Sequence, residues 1–263
     1  MRLKRVPLLC TVLLLFQGTC QAVQLFSDDF ELGDVATSLW QFDTAKTCDI
    51  NIVDEPVRNG KYAVQFRAAK KARCELVPHT VRGRFGELKR KFFREPFHQD
   101  RWYVFSTFLH GPWERHEANE VLAQWHASPD PVIAHEHGRG PPLALRVIED
   151  YLRISYGWDK KFRSTEKHIA KYTLWYDRLE TEQWIDWVFQ VRWSYENDGL
   201  IRIWKNKELI VDYKGPNAYN DLRGVYLKLG IYHPRPERVV TFDDIYIDDA
   251  PPEPFRKFLE SQK

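Results

Sequence analysis

The sequence has no long apolar run, no sustained helical period and no excess of charge of one sign. In 263 residues, 39 Lys+Arg stand against 37 Asp+Glu. That balance is not the footprint of a nucleic-acid binder, so affinity for a polyanion must come from local clustering. There is no internal repeat and no low-complexity linker, which leaves one large domain or two small ones. The apolar stretch at 8–16 is too short for a comfortable membrane span. It follows Arg2, Lys4 and Arg5 and runs into Cys20-Gln21-Ala22, the layout of a secretory signal. Residues 1–22 are therefore expected to be a signal peptide, and the protein to be secreted or periplasmic. Cys20 opens a lipoprotein alternative, which the preceding Phe16-Gln17-Gly18-Thr19 fits poorly. Cleavage after Ala22 removes three basic residues and no acidic ones, leaving 36 against 37. Cysteine is scarce as well. Two of the four leave with the signal, and the remaining Cys48 and Cys74 are an even pair in an exported chain. A disulfide is the default expectation, with two buried free thiols as the alternative.

What is present is alternation. Strand candidates cover 62–67, 72–77, 102–109, 120–127, 143–149, 151–156, 187–195, 200–205, 208–213, 227–232 and 239–247. Arg58-Asn59-Gly60, Asn197-Asp198-Gly199 and Lys214-Gly215-Pro216 supply turns between them. Helix is expected only in short pieces, near Ala118 and around 254–261. The chain reads as an all-β domain over 23–250 with a C-terminal tail at 251–263, after Pro251-Pro252-Glu253-Pro254. Aromatics make up 14% of the residues, with ten Trp. Composition does not say whether they fill a core or line a groove.

The stretch 187–213 reads as a three-stranded meander, its last two strands joined by a tight turn at Asn206-Lys207. This pattern resembles the concanavalin-like β-sandwiches, or jelly rolls, with two curved antiparallel sheets and a groove on one of them. More specific strings follow. Arg73-Cys74-Glu75-Leu76 is similar to the Arg-x-Glu-x-Arg strand of the jelly-roll alginate lyases, departing where Val77 replaces the second Arg. Gln124-Trp125-His126 resembles their Gln-x-His. Tyr226-Leu227-Lys228-Leu229-Gly230-Ile231-Tyr232 resembles their Tyr-Phe-Lys-Ala-Gly-x-Tyr. The order along the chain is the same. Pro141-Pro142-Leu143 after Gln-Trp-His brings the likeness nearer to the heparin lyase I and glucuronan lyase branch.

The resemblance implies an exported polysaccharide lyase that cleaves a uronic-acid chain (glucuronan, alginate or a heparin-like polymer) by β-elimination. Such an enzyme takes the proton at C5, beside the carboxylate, and expels the oxygen at C4. The site must neutralise the carboxylate and stabilise the developing enolate. Arg73 suits a bidentate contact and Gln124 an amide donor; His126 can donate or, when neutral, accept a proton. The resemblance assigns Tyr232 the acid role, and leaves open whether it is the base too. Syn elimination would let one group take and return the proton; anti elimination would split the work between His126 and Tyr232. Lys228, Glu75, His79 and Tyr226 are the expected substrate-binding residues, with Glu75 orienting Arg73 or Lys228. Each also has a plain reading as a polar strand face or rim residue.

The basic run Arg82, Arg84, Lys89, Arg90, Lys91, Arg94 suits either an acidic chain or a solvated loop. His135-Glu136-His137 has metal-capable groups without an evident third ligand. No cofactor is expected for catalysis. Structural calcium is a further expectation: Asp28-Asp29 and Asp243-Asp244 would meet if the terminal strands pair. The expected partner is an acidic polysaccharide, bound by a monomer without a transmembrane segment. The competing functions are a glycoside hydrolase and a lectin-like binding module on the same sandwich. The Glu-x-Asp-x-x-Glu string of sandwich glucanases is missing, although hydrolysis ordinarily needs two carboxyl groups at the bond.

Overall fold

The computed structural model describes residues 25–262 apart from 83–87, 91–93, 128–129, 131–138 and 166–168. The expected signal peptide, His135-Glu136-His137, Arg84 and Lys91 lie outside the described residues. In chain order the strands are β1 (Phe26–Asp28), β2 (Trp40–Ala45), β3 (Cys48–Val53), β4 (Ala63–Ala68), β5 (Arg73–Pro78), β6 (Thr80–Arg82), β7 (Leu88–Arg90), β8 (Asp100–Leu109) and β9 (Asn119–His126). There follow β10 (Leu143–Ile148), β11 (Tyr151–Trp158), β12 (Ala170–Arg178), β13 (Trp184–Arg192), β14 (Leu200–Lys205), β15 (Glu208–Lys214), β16 (Tyr226–Tyr232) and β17 (Arg238–Asp248).

Two antiparallel sheets hold nearly all of them. One runs β15-β14-β13-β8-β17-β4-β3, with β1 on β17; the other runs β12-β11-β10-β9-β16-β5-β2. β6 and β7 form a small separate ribbon from part of the basic run. Alternation explains how the sheets meet. On β10, Leu143, Leu145 and Val147 are buried in the core, while Ala144, Arg146 and Ile148 take the other face. The aromatic excess goes mainly to this core. Trp40, Trp125, Trp187 and Trp193 are fully buried, and Trp125 packs at 5.0 Å from Tyr103 and 4.8 Å from Phe189 across the sandwich. Such contacts add to the area each ring removes from water.

The disulfide forms between Cys48 and Cys74. It ties β3 of one sheet to β5 of the other, beside Arg73. The C-terminal segment is more than a tail. Glu253–Ser261 forms helix α1, entered through Pro252 and Pro254. Its Phe255 packs on Trp102 and Trp204, a small second core on the β8–β13–β14 surface. The helix expected near Ala118 is not formed; that segment is irregular backbone leading into β9.

Candidate active site

The three quoted strings lie on neighbouring strands. β16 is hydrogen-bonded to β9 on one side and β5 on the other. Lys228 pairs with Gln124 and Tyr226 with His126 across β16–β9. Tyr232 pairs with Arg73 and Gly230 with Glu75 across β16–β5. Trp125 points into the core, so Gln124 and His126 share the opposite, outer face of the sheet.

Gly230 makes the close approach of these strands possible. Its φ is +135°, and a Cβ there would sit 2.1 Å from the Cys74 carbonyl oxygen and 2.9 Å from the Phe66 ring. The β16–β9 register also shifts between Leu229 and Tyr232. A glycine at this irregularity re-aims the strand where a side chain would block it.

At the centre is a buried ionic network. Glu75, Gln124 and Lys228 are 2%, 3% and 4% exposed. The Gln124 amide donates to Glu75 Oε1. Arg73 Nη1 donates to Glu75 Oε2 at 3.2 Å and to Asp43 Oδ2 at 3.0 Å. Lys228 Nζ donates to Asp43 Oδ2 at 2.5 Å and lies 3.9 Å from Glu75. Two carboxylates and two cations thus compensate one another, as burial of charge requires. Burial pushes the Glu75 pKa up, against the pull of Lys228. Burial would raise Asp43 too, but Lys228 and Arg73 outweigh it and hold that carboxyl low. Glu75 thus accepts from Arg73, while the hydrogen bond of Lys228 goes to Asp43. Asp43, on β2, completes the network; only the partial exposure of an edge strand hides it from sequence reasoning.

The two ends of β16 differ. At one end the His126 and Tyr226 rings are 5.5 Å apart. Lys228 Nζ lies 5.6 Å from the Tyr226 ring, and the Arg94 guanidinium 5.0 Å from it. Burial, and then the charge of Lys228, push the His126 pKa down to about 4. The imidazole is therefore neutral at physiological pH. At the other end Arg73 lies 4.4 Å over the Tyr232 ring. Tyr232 is opposite Val121, five residues from His126 on β9, which is about 16 Å along a strand. The expected trio of Arg73, His126 and Tyr232 shares one face, but His126 meets Tyr226 rather than Tyr232. His79 follows β5 at the end away from Arg73, held by its backbone to Leu39.

The terminal strands do pair, Ser27 with Tyr246 and Asp28 with Ile245. Three of the expected calcium ligands accept hydrogen bonds from the protein. Asp28 accepts from the Trp40 indole and the Phe30 amide, Asp243 from the Arg58 and Asn59 amides, and Asp244 from the Asn59 side chain. Among the described residues no group of three or more His, Cys, Asp or Glu side chains is arranged to hold a metal ion. Asp28, Asp29 and Asp244 line one cavity together with Asn59.

A family model described as polysaccharide lyase matches residues 30–250. Among solved structures, the chain is similar to an endo-beta-1,4-glucuronan lyase from the fungus Trichoderma reesei. Identity is 16%, coverage 86% of this chain and 95% of that one, and the TM-score 0.68. It is also similar to the cellulose induced protein Cip1, with 16% identity, 86% and 97% coverage and a TM-score of 0.53. At these identities the likeness is one of fold. No curated protein sequence matches the chain.

Proposed function

This chain belongs to the polysaccharide lyase family, and from that premise we propose that it cleaves a uronic-acid polysaccharide by β-elimination at the His126–Tyr226 end of β16. The observation that carries the reading is a neutral imidazole and a phenol facing each other beside a buried ammonium. In this reaction the C5–H and C4–O bonds break, a C4–C5 double bond forms, and the departing oxygen takes a proton. Neutral His126 and the Tyr226 hydroxyl are the two groups placed to take and give those protons. A positioned acid or base of this kind contributes about 10²–10⁴-fold.

Removing a proton beside a carboxylate requires that carboxylate to be neutralised. Lys228, the second amide hydrogen of Gln124 and Arg94 bring positive charge to the Tyr226 end. Loss of one preorganised donor of this type costs about 10²–10³-fold in turnover. Arg73 and Tyr232, farther along the strand, flank a neighbouring sugar ring in this reading. Hydrolysis fits less well, since it needs two carboxyl groups at the bond. The carboxylates of this cluster, Asp43 and Glu75, are both engaged by Arg73 and Lys228.

The Trichoderma protein is by its name a glucuronan lyase, which makes glucuronan the first polymer to try. Export through residues 1–22 belongs to the same proposal. The test is incubation with glucuronan, alginate and heparan-type chains, following ultraviolet absorbance of the unsaturated product. Reducing ends without that absorbance would favour a hydrolase, and binding without cleavage a carbohydrate-binding module.

A further inference from the structure

A second group of cations crosses the same face of the sheet. The pairings Arg73–Tyr232, Tyr232–Val121, Val121–Arg146 and Arg146–Arg153 form one row through β5, β16, β9, β10 and β11. Arg146 and Arg153 are directly opposite each other. Like charges in that position repel. Among the described residues neither guanidinium has a carboxylate partner. Arg146 Nε donates to Ser155 Oγ at 2.7 Å and its Nη1 to Asn119 Oδ1 at 3.0 Å. Two neutral partners fix the plane of the fork and leave further donors unspent. The guanidinium is buried enough for its pKa to fall to about 10.

Arg146 lines a cavity of about 420 Å³ with Asn119, Ser155, Lys171, Thr173 and Tyr219. That volume is in the range of small-molecule sites. Its lining includes two cations, hydroxyls and an amide, and no acidic side chain. The two cations of the lining are Arg146 and Lys171, while the Arg153 guanidinium lies 5.9 Å over the Tyr151 ring. An anion in the cavity would neutralise the Arg146 guanidinium. Arg146 is opposite Val121, five residues from His126 along β9, about 16 Å along the strand, so a chain seated at His126 and Tyr226 reaches Arg146 only when it extends a few sugar rings beyond the cleaved bond.

Resting on the lyase reading for the identity of the polymer, we propose that Arg146 and Lys171, which line this cavity together, form an anion subsite, which holds the carboxylate of a uronate residue remote from the cleaved bond. The subsite gives the enzyme a preference for longer chains, because short oligomers seated at His126 and Tyr226 do not reach it.

The test uses a size ladder of uronate oligosaccharides, from disaccharide upward, on the wild type and on Arg146→Gln, Arg146→Lys, Arg153→Gln and Lys171→Glu. The ratio of kcat/KM for long over short oligomers should fall about tenfold in Arg146→Gln, as loss of a charge-assisted contact implies. It should recover in part in Arg146→Lys. Binding of the long oligomer to a His126→Ala protein, measured calorimetrically, should weaken by a similar factor when Arg146→Gln is added. Carboxyl-reduced oligomers should lose the length preference. If Arg146→Gln fails to fold, Lys171→Glu, at an exposed position of the same lining, carries the same comparison, with Arg153→Gln as the control outside the cavity. An unchanged length ratio with normal turnover overturns the subsite and leaves the lyase reading standing. Absence of unsaturated product from every polyuronate, together with Arg146-dependent binding, overturns the lyase reading and leaves the subsite standing.

Discussion

His126 and Tyr226 are directly opposite each other on β9 and β16, with ring centroids 5.5 Å apart. Tyr232, the other phenol on that face of β16, is stacked under Arg73 instead. The two tyrosines therefore have separable roles. Tyr226→Phe should keep the fold and lower turnover by about 10²–10⁴-fold, the usual contribution of a positioned acid or base. Tyr232→Phe should act mainly on KM. Initial rates of unsaturated product, with thermal melts as a folding control, check this. The reverse ranking would return the proton-transfer role to Tyr232.

The depressed pKa of His126 has a sign. Its folded value is about 4 against an ordinary 6.5, so between those values the unfolded chain binds the proton and the folded chain does not. Stability must therefore fall as pH drops from about 6.5 toward about 4. Glu75, raised by burial, acts in the opposite sense, and a variant isolates the histidine. His126→Gln should show a shallower loss of melting temperature across that window. The acid limb of kcat/KM should follow the free enzyme's value, near 4 rather than 6.5. Parallel melting curves for the two proteins would contradict the assignment.

Gly230 has a backbone reason to be glycine. An alanine Cβ would lie 2.1 Å from the Cys74 carbonyl oxygen, at a φ of +135°. Gly230→Ala should cost about 1–3 kcal/mol from backbone strain. It should also lower activity, because β16 sets the positions of Tyr226 and Lys228. Urea unfolding gives the first number and initial rates the second. An unchanged unfolding midpoint would show that the strand can shift without loss.

The parts of this architecture readable in the sequence are those with a strong short-range pattern. Alternation around Trp125 places Gln124 and His126 on one face, and the structure agrees. The three strings 73–76, 124–126 and 226–232 do lie side by side. Which residue faces which was not legible, because register depends on irregularities between Leu145 and Arg146 and between Leu229 and Tyr232. Such shifts leave no mark on local alternation. β2, β3 and β12 also escape the reading. They lie at sheet edges, and their exposed faces blur the pattern. Asp43 was hidden with β2. Arg146 and Arg153 were visible only as polar positions on a strand, since the lack of an acidic partner is a property of the assembled sheet.

The central claim is that the polysaccharide backbone is cut without water. Cleavage of glucuronan in water labelled with heavy oxygen, followed by mass spectrometry of the fragments, tests it most directly. Elimination predicts that neither fragment gains label during cleavage, that their masses sum to that of the substrate, and that one carries a C4–C5 double bond. Heavy oxygen in the new chain end, with fragment masses exceeding the substrate by one water, would contradict the account.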